Sequence, residues 1–274
     1  MKSITRRTAL QSGAALAAGA LAACANPRGE AGADPRAAPV ATAQNILFDV
    51  ARPSVPIAGS RAVFPVRRIY CIGRNYAAHA REMRSDPTRE PPFFFQKPSD
   101  AVQFAPIGKT IDHAYPTLTK NYHYELELVA ALNTGGRNIA PERALDCLYG
   151  YAVGLDMTRR DLQRAMGDQK KPWEIGKSFD HAAPIGPIHP VEQVGHFNKG
   201  AIVLKVNGVV KQSADLSQMI WNVAEQIANL SQAFELKAGD IIYSGTPENV
   251  GPVVPGDVML GHIDGLPDIS VKVV

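Results

Sequence analysis

The sequence predicts an α+β fold, mainly β: a mixed, mostly antiparallel sheet with a few short helices. Three observations carry that expectation. Apolar segments are mostly short and bounded by turn-forming residues, which suits strands better than helices. Asn207-Gly208 joins two strand-like runs, 201–206 and 209–212, and Asn-Gly is a dipeptide that tight hairpin turns favour. Helical spacing is sustained at length only over 220–234, where Ile220, Val223, Ile227, Leu230 and Phe234 fall on one side.

In chain order, 55–57 and 62–66 read as short strands around Gly59, and 68–72 as a stronger strand stopped by Gly73. Asn75 is placed to cap a short helix running to about Met83. Pro87, Pro91 and Pro92 punctuate the chain before a compact strand over 93–96. The run 123–132 alternates, and 148–156 is apolar until its last residue, so both read as strands. Thr158 is placed to start a helix to about Met166. After the hairpin and the long helix, 240–243, 258–263 and 269–273 close the chain as strands. No internal repeat is present.

The chain has 274 residues, 45% apolar and 20% charged, enough to build a core. Of its 29 Lys and Arg, Lys2, Arg6 and Arg7 lie at the extreme N-terminus, leaving 26 against 26 Asp and Glu. There is no basic stripe, and nucleic acid is not an expected partner. Three cysteines form neither a disulfide framework nor a zinc spacing. Cys71 and Cys147 sit in apolar contexts and read as buried thiols.

The N-terminus reads as an export signal. TRRTAL (5–10) resembles a twin-arginine signal, although Ala9 stands where such signals usually carry Phe. A weakly apolar stretch over 9–23 is too short to span a membrane. LAAC (21–24) resembles a bacterial lipobox, which would make Cys24 the lipidated first residue of the mature chain. Residues 25–44 are rich in Ala, Pro and Gly and read as a disordered linker. The expected organisation is a signal over 1–24, a linker over 25–44 and a catalytic domain over 45–274. The expected location is periplasmic or membrane-anchored as a lipoprotein, with the membrane touched only through the signal or Cys24. A signal that does not function would leave the protein cytoplasmic.

Two constellations carry chemistry. Alternation sets Glu125 and Glu127 on one face, and Asp156 ends the apolar run 148–156. Bare acids in such contexts are costly, and a hard divalent cation removes the cost. Three carboxylates leave room for water and substrate on Mg²⁺ or Mn²⁺. His79 and Glu82 are three apart on the proposed helix and share a face. A carboxylate beside an imidazole suits a general base, but spacing alone equally describes a surface His with an acidic neighbour.

Seven blocks then add a resemblance: YCIGRNYAAHAREM (70–83), FFQKPS (94–99), HYELEL (123–128), GLDMTRRDLQ (154–163), GKSFD (176–180), LKVNG (204–208) and GTP (245–247). They resemble, in order, the blocks of the fumarylacetoacetate hydrolase family. REPPFFFQKP (89–98) resembles its acylpyruvase branch, which holds the fumarylpyruvate hydrolases. The resemblance implies a mixed β-roll, usually a homodimer, with a divalent metal on Glu125, Glu127 and Asp156. It implies that His79 and Glu82 activate water, that Lys177 and Gln163 face the reacting oxygens, and that Arg160 and Thr246 contact substrate. The implied reaction is hydrolysis of a carbon–carbon bond in a 2,4-dioxo acid; fumarylpyruvate would give fumarate and pyruvate. Lys97 is set aside as a further contact or a surface charge. Two other readings stand beside this one. An oxaloacetate decarboxylase-type lyase would use the same trio without attacking water. An exported binding protein would need neither the base pair nor the lysine.

Overall fold

The Asn207-Gly208 turn is present, with both residues at positive φ (50° and 78°) as the tight hairpin turn requires. It joins the Ala201–Val206 and Val209–Asp215 strands in an antiparallel pair. The second strand continues beyond Gln212 to Asp215, whose carboxylate accepts from the Ser217 N–H and starts the next turn. The computed structural model describes residues 47–83 and 90–274. The expected export signal and linker lie outside the described residues.

The hairpin forms one side of a five-stranded sheet, in the order Val209–Asp215, Ala201–Val206, Val258–Ile263, Leu266–Val273 and Thr110–His113. A second sheet of eight strands runs Phe93–Lys97, Arg68–Gly73, Asp240–Tyr243, Leu126–Leu132, Leu148–Leu155, Ala183–Ile185 and Val102–Phe104, with His189–Pro190 also paired to Leu148–Leu155. Most pairings are antiparallel; Arg68–Gly73 with Asp240–Tyr243 is parallel, so the sheet is mixed, as the sequence predicts. Leu126 packs against the five-stranded sheet at Gly261, where a Cβ would fall 2.5 Å from Leu126 Cδ1. Bare backbone at Gly261 therefore permits the close approach of the two sheets.

The long helix is Val223–Ala233. It begins later than the 220–234 periodicity because Asn222 caps it, accepting from the Glu225 N–H while Glu225 accepts from the Asn222 N–H. Phe234, just past its end, packs against Tyr70 and Phe94 of the large sheet, at ring separations of 5.2 and 5.4 Å.

Three local expectations fail, the first two because a side chain goes to a distant partner and the third because the backbone changes sheets. Asn75 does not cap the Ala77–Glu82 helix; it donates to Trp221 O and Ser244 O and accepts from the Trp221 N–H. Thr158 does not start a helix. It lies in the short Thr158–Arg159 strand, its hydroxyl donates to Glu125 Oε1, and the helix is Arg160–Asp168. The run 123–132 is two strands, Tyr122–Tyr124 and Leu126–Leu132, which belong to different sheets. Cys71 and Cys147 are free and buried. No helix among the described residues is long and apolar enough to cross a membrane.

Candidate active site

Glu125 is the residue at which the chain changes sheets. Tyr122–Tyr124 pairs with Thr158–Arg159 and Gly251–Val253 in a small three-stranded sheet, whereas Leu126–Leu132 joins the large one. Next to Leu126–Leu132, the Leu148–Leu155 strand ends where the Asp156 N–H donates to Glu125 O at 2.8 Å. Glu127 stands opposite Gly154 in that pairing. Glu125, Glu127 and Asp156 are all buried, and one oxygen of each lies within 4.8 Å of the others.

Three buried cations face these carboxylates. Lys177 Nζ lies 2.8 Å from both Glu125 Oε2 and Asp156 Oδ2. Arg160 pairs with Glu125 and donates to Gln163 Oε1 at 2.5 Å. Lys97 Nζ lies 2.8 Å from Asp156 Oδ1 and donates to Met157 O at 3.2 Å. Lys97 is the member that sequence reasoning missed. Its signal was available: it closes the aromatic Phe93–Lys97 strand, as Asp156 closes its own apolar run. That edge strand buries its lysine and leaves Phe93 partly exposed.

The three carboxylates differ in their electrostatics. Burial alone would raise the Glu125 carboxyl, but Lys177 and Arg160 outweigh it and hold the group well below the usual range. Burial, then Asp156 and Glu125, push Glu127 well above that range; Lys177 and the Gly245 N–H oppose them only in part. Burial disfavours charge on Lys177, yet Asp156 and Glu125 raise its pKa and keep it protonated. Among the described residues Glu127 has no salt-bridge partner; its Oε2 accepts from the Gly245 N–H at 2.8 Å. The trio therefore has a place for one more positive charge, at Glu127. Converging, buried, all-oxygen donors fit Mg²⁺ or Mn²⁺.

His79 and Glu82 lie on the Ala77–Glu82 helix, with Nδ1 3.0 Å from Glu82 Oε2. A carboxylate only accepts, so Nδ1 carries the hydrogen in this contact, and in the neutral ring Nε2 carries the lone pair. His79 is buried and lines the same recess as the trio.

One loop serves both constellations. Within it the Gly245 N–H donates to Glu127, and the Asn249 N–H donates to Glu82 Oε2 at 3.1 Å. Buried Gln212 braces it from the hairpin, donating to Thr246 Oγ1 and Pro247 O at 2.9 Å each. Gly245 takes φ 100°, and a Cβ there would fall 2.6 Å from Asn75 Cβ, so the turn requires glycine.

The recess at the trio holds about 20 Å³, and His79, Arg160, Gln163, Lys177 and Thr246 line it with the acids. All nine residues named from the sequence are thus near one site: eight line the recess, and Glu82 bonds to His79 and lines the adjoining outer cavity.

A model of the fumarylacetoacetate (FAA) hydrolase C-terminal domain matches residues 68–274. The chain belongs to the fumarylacetoacetate hydrolase family. It is 45% identical over 189 residues to a fumarylpyruvate hydrolase from a Ralstonia species, covering 69% of this chain and 95% of that family member. It is 40% identical over 207 residues to the human mitochondrial oxaloacetate tautomerase FAHD1, covering 76% of this chain and 91% of the relative. A crystal structure of a Pseudomonas aeruginosa fumarylpyruvate hydrolase, 57% identical, superposes with a TM-score of 0.83 over 84% of this chain and 99% of that one. That family member holds Mn²⁺ and pyruvate.

Proposed function

We propose that the chain is a divalent-metal-dependent hydrolase that cleaves a carbon–carbon bond of acylpyruvates, with fumarylpyruvate split to fumarate and pyruvate. The observation that carries this reading is the His79–Glu82 pair lining the space beside the carboxylate trio. It supplies a water-activating base where a keto acid would be held. The fumarylpyruvate hydrolases at 45% and 57% identity support the substrate class.

Glu125, Glu127 and Asp156 would hold Mg²⁺ or Mn²⁺, which supplies Lewis-acid polarisation of a keto acid and offsets charge on the leaving pyruvate. The chain's own groups do the rest. Arg160 and Thr246 bind the substrate's polar end: Thr246 Oγ1 accepts from Gln212, which leaves its O–H to donate. His79 Nε2 takes a proton from water, and Glu82 fixes the ring and stabilises the imidazolium that forms. Water attacks the acyl carbonyl, the bond from that carbon to the pyruvate methylene carbon breaks, and the proton held by His79 returns to the methylene carbon to give pyruvate. Lys177 keeps a third N–H beyond its two carboxylate contacts, and Gln163 keeps its amide N–H groups; both can donate to the oxyanion.

The FAHD1 relative favours a second reading, in which oxaloacetate is the substrate and no water attacks. The test is pyruvate release from acetylpyruvate, fumarylpyruvate and oxaloacetate by the purified protein. Acylpyruvate hydrolysis is expected to dominate, to stop on chelation and to return with Mn²⁺. Faster turnover of oxaloacetate than of any acylpyruvate would overturn the reading.

We further propose that residues 1–24 direct export and that the mature protein is periplasmic or anchored through a lipid on Cys24. TRRTAL (5–10) and LAAC (21–24) support this reading. Mass spectrometry of the native N-terminus tests it: an intact Met1 sinks it, and a diacylglyceryl Cys24 bears it out. A homodimer is the proposed assembly, tested by sedimentation.

A further inference from the structure

Val209–Asp215 is an edge strand of the five-stranded sheet, and residues 209–213 are exposed except for Gln212, which is fully buried. An inward position on such a strand ordinarily takes an apolar side chain, because an amide is costly to bury unless it is hydrogen-bonded. The register accounts for the inward turn. Leu204 stands opposite Gln212 and Lys205 opposite Val210, so Lys211 is an extra residue, and bulges of this kind re-aim a side chain.

Backbone partners fix which way this amide faces. Its Oε1 accepts from the Leu126 N–H, between Glu125 and Glu127, at 3.1 Å. A backbone N–H only donates, so the amide cannot be reversed. Nε2 then faces Thr246 Oγ1 and Pro247 O at 2.9 Å and Glu248 O at 3.3 Å. The Thr246 hydroxyl thus receives a hydrogen from Gln212 and cannot donate its own there. Thr246 Oγ1 makes no other hydrogen bond among the described residues, and Thr246 lines the recess with the trio. Its O–H is therefore left to donate. A threonine exchanges hydroxyl for methyl by one step about χ1, and the bond from Gln212 holds the hydroxyl in its place.

We propose that Gln212 is a positioning residue for the keto-acid end of the substrate. It touches no reacting atom. It presents the Thr246 hydroxyl to the recess as a donor, and so it governs affinity for the keto acid rather than the chemical step. This rests on the reading in which Thr246 binds the substrate's polar end. The loop keeps other anchors when Gln212 is lost, the Gly245 N–H on Glu127 and the Asn249 N–H on Glu82. Metal ligands and base therefore stay in place without it.

Gln212→Met keeps the length of the side chain and removes its hydrogen bonds. Two constants of Mn²⁺-loaded protein are expected to rise about 10-fold, as for losing one hydrogen bond to a charged group: KM for fumarylpyruvate and the calorimetric Kd for pyruvate. Turnover number and Mn²⁺ affinity are expected to stay within a few-fold. A double-mutant cycle separates positioning from packing. Thr246→Val removes the hydroxyl and should raise the same constants by a similar factor, and Gln212→Met added to it should raise them no further. A merely structural glutamine would add its own loss in the valine background. If Gln212→Met does not fold, Gln212→Glu takes its place in the cycle. In mildly alkaline buffer its carboxylate still accepts from the Leu126 N–H and draws the Thr246 O–H away from the recess, so the same loss is expected. Unchanged pyruvate affinity in the folded variant, or additive losses in the cycle, would overturn the proposal and leave the hydrolase reading intact. If no acylpyruvate is hydrolysed but the cycle in pyruvate affinity is non-additive, the hydrolase reading fails and the role of Gln212 stands.

Discussion

Replacing Glu127 by Gln is expected to abolish metal binding and turnover while making the metal-free protein more stable. The two effects have one cause. Burial and the neighbouring Asp156 and Glu125 push the Glu127 carboxyl up, so as an anion it opposes folding until a cation arrives. Glutamine keeps the shape, and its carbonyl still accepts from the Gly245 N–H. What it loses is the charge. Affinity for Mn²⁺ should fall by more than about 100-fold, beyond the 10- to 100-fold usual for losing an outer-shell partner. Each kcal/mol regained moves the unfolding midpoint by about 2–4 °C in a domain of this size. The sign with pH follows. A folded pKa above the unfolded one favours folding fully below the unfolded value, and that contribution is lost as pH rises through the folded value. The advantage of Gln should thus be largest at neutral and alkaline pH and vanish in acid. Isothermal titration with Mn²⁺ and thermal melts of chelated protein check both halves. A metal-free variant that melts below wild type at neutral pH would refute the electrostatic account.

His79→Ala is expected to lower kcat for acylpyruvate hydrolysis by about 10²- to 10⁴-fold, the usual contribution of a positioned general base. His79 pairs with Glu82, so Mn²⁺ affinity should change only a few-fold. Glu82→Gln should cost less, because the ring keeps a hydrogen-bonding neighbour but loses its carboxylate. Single-turnover measurements at saturating metal separate chemistry from binding. A metal-loaded His79→Ala protein with wild-type kcat would remove His79 from the role of base.

The fold was legible where local chemistry decides structure. Asn207-Gly208 specifies its own turn, and the 220–234 periodicity identified the helix, with Asn222 setting its start. Legibility ended where a distant partner decides. Val102–Phe104 and Thr110–His113 are short strands whose parallel partners, Ala183–Ile185 and Leu266–Val273, lie far along the chain. Asn75 and Thr158 looked like helix caps because nothing local shows that Ser244, Trp221 and Glu125 claim their side chains. In the site, the acids were readable as charges misplaced in apolar runs. Lys97 obeys the same rule, but a lysine near prolines also suits a surface, and only the pairing with Asp156 decides between them. The differing states of Glu125 and Glu127 were not readable, since alternation makes the two equivalent and Arg160, Lys177 and Gly245 make them distinct.

Lys97, Lys177 and Arg160 offset Glu125 and Asp156 before any ion is present, which leaves Glu127 alone to be neutralised, by a proton until the cation comes. The receptacle can therefore be assembled empty, and the cation is a late arrival rather than a nucleus for folding. Its identity is then settled by the fluid that bathes the finished protein, not by the conditions under which the polypeptide was made.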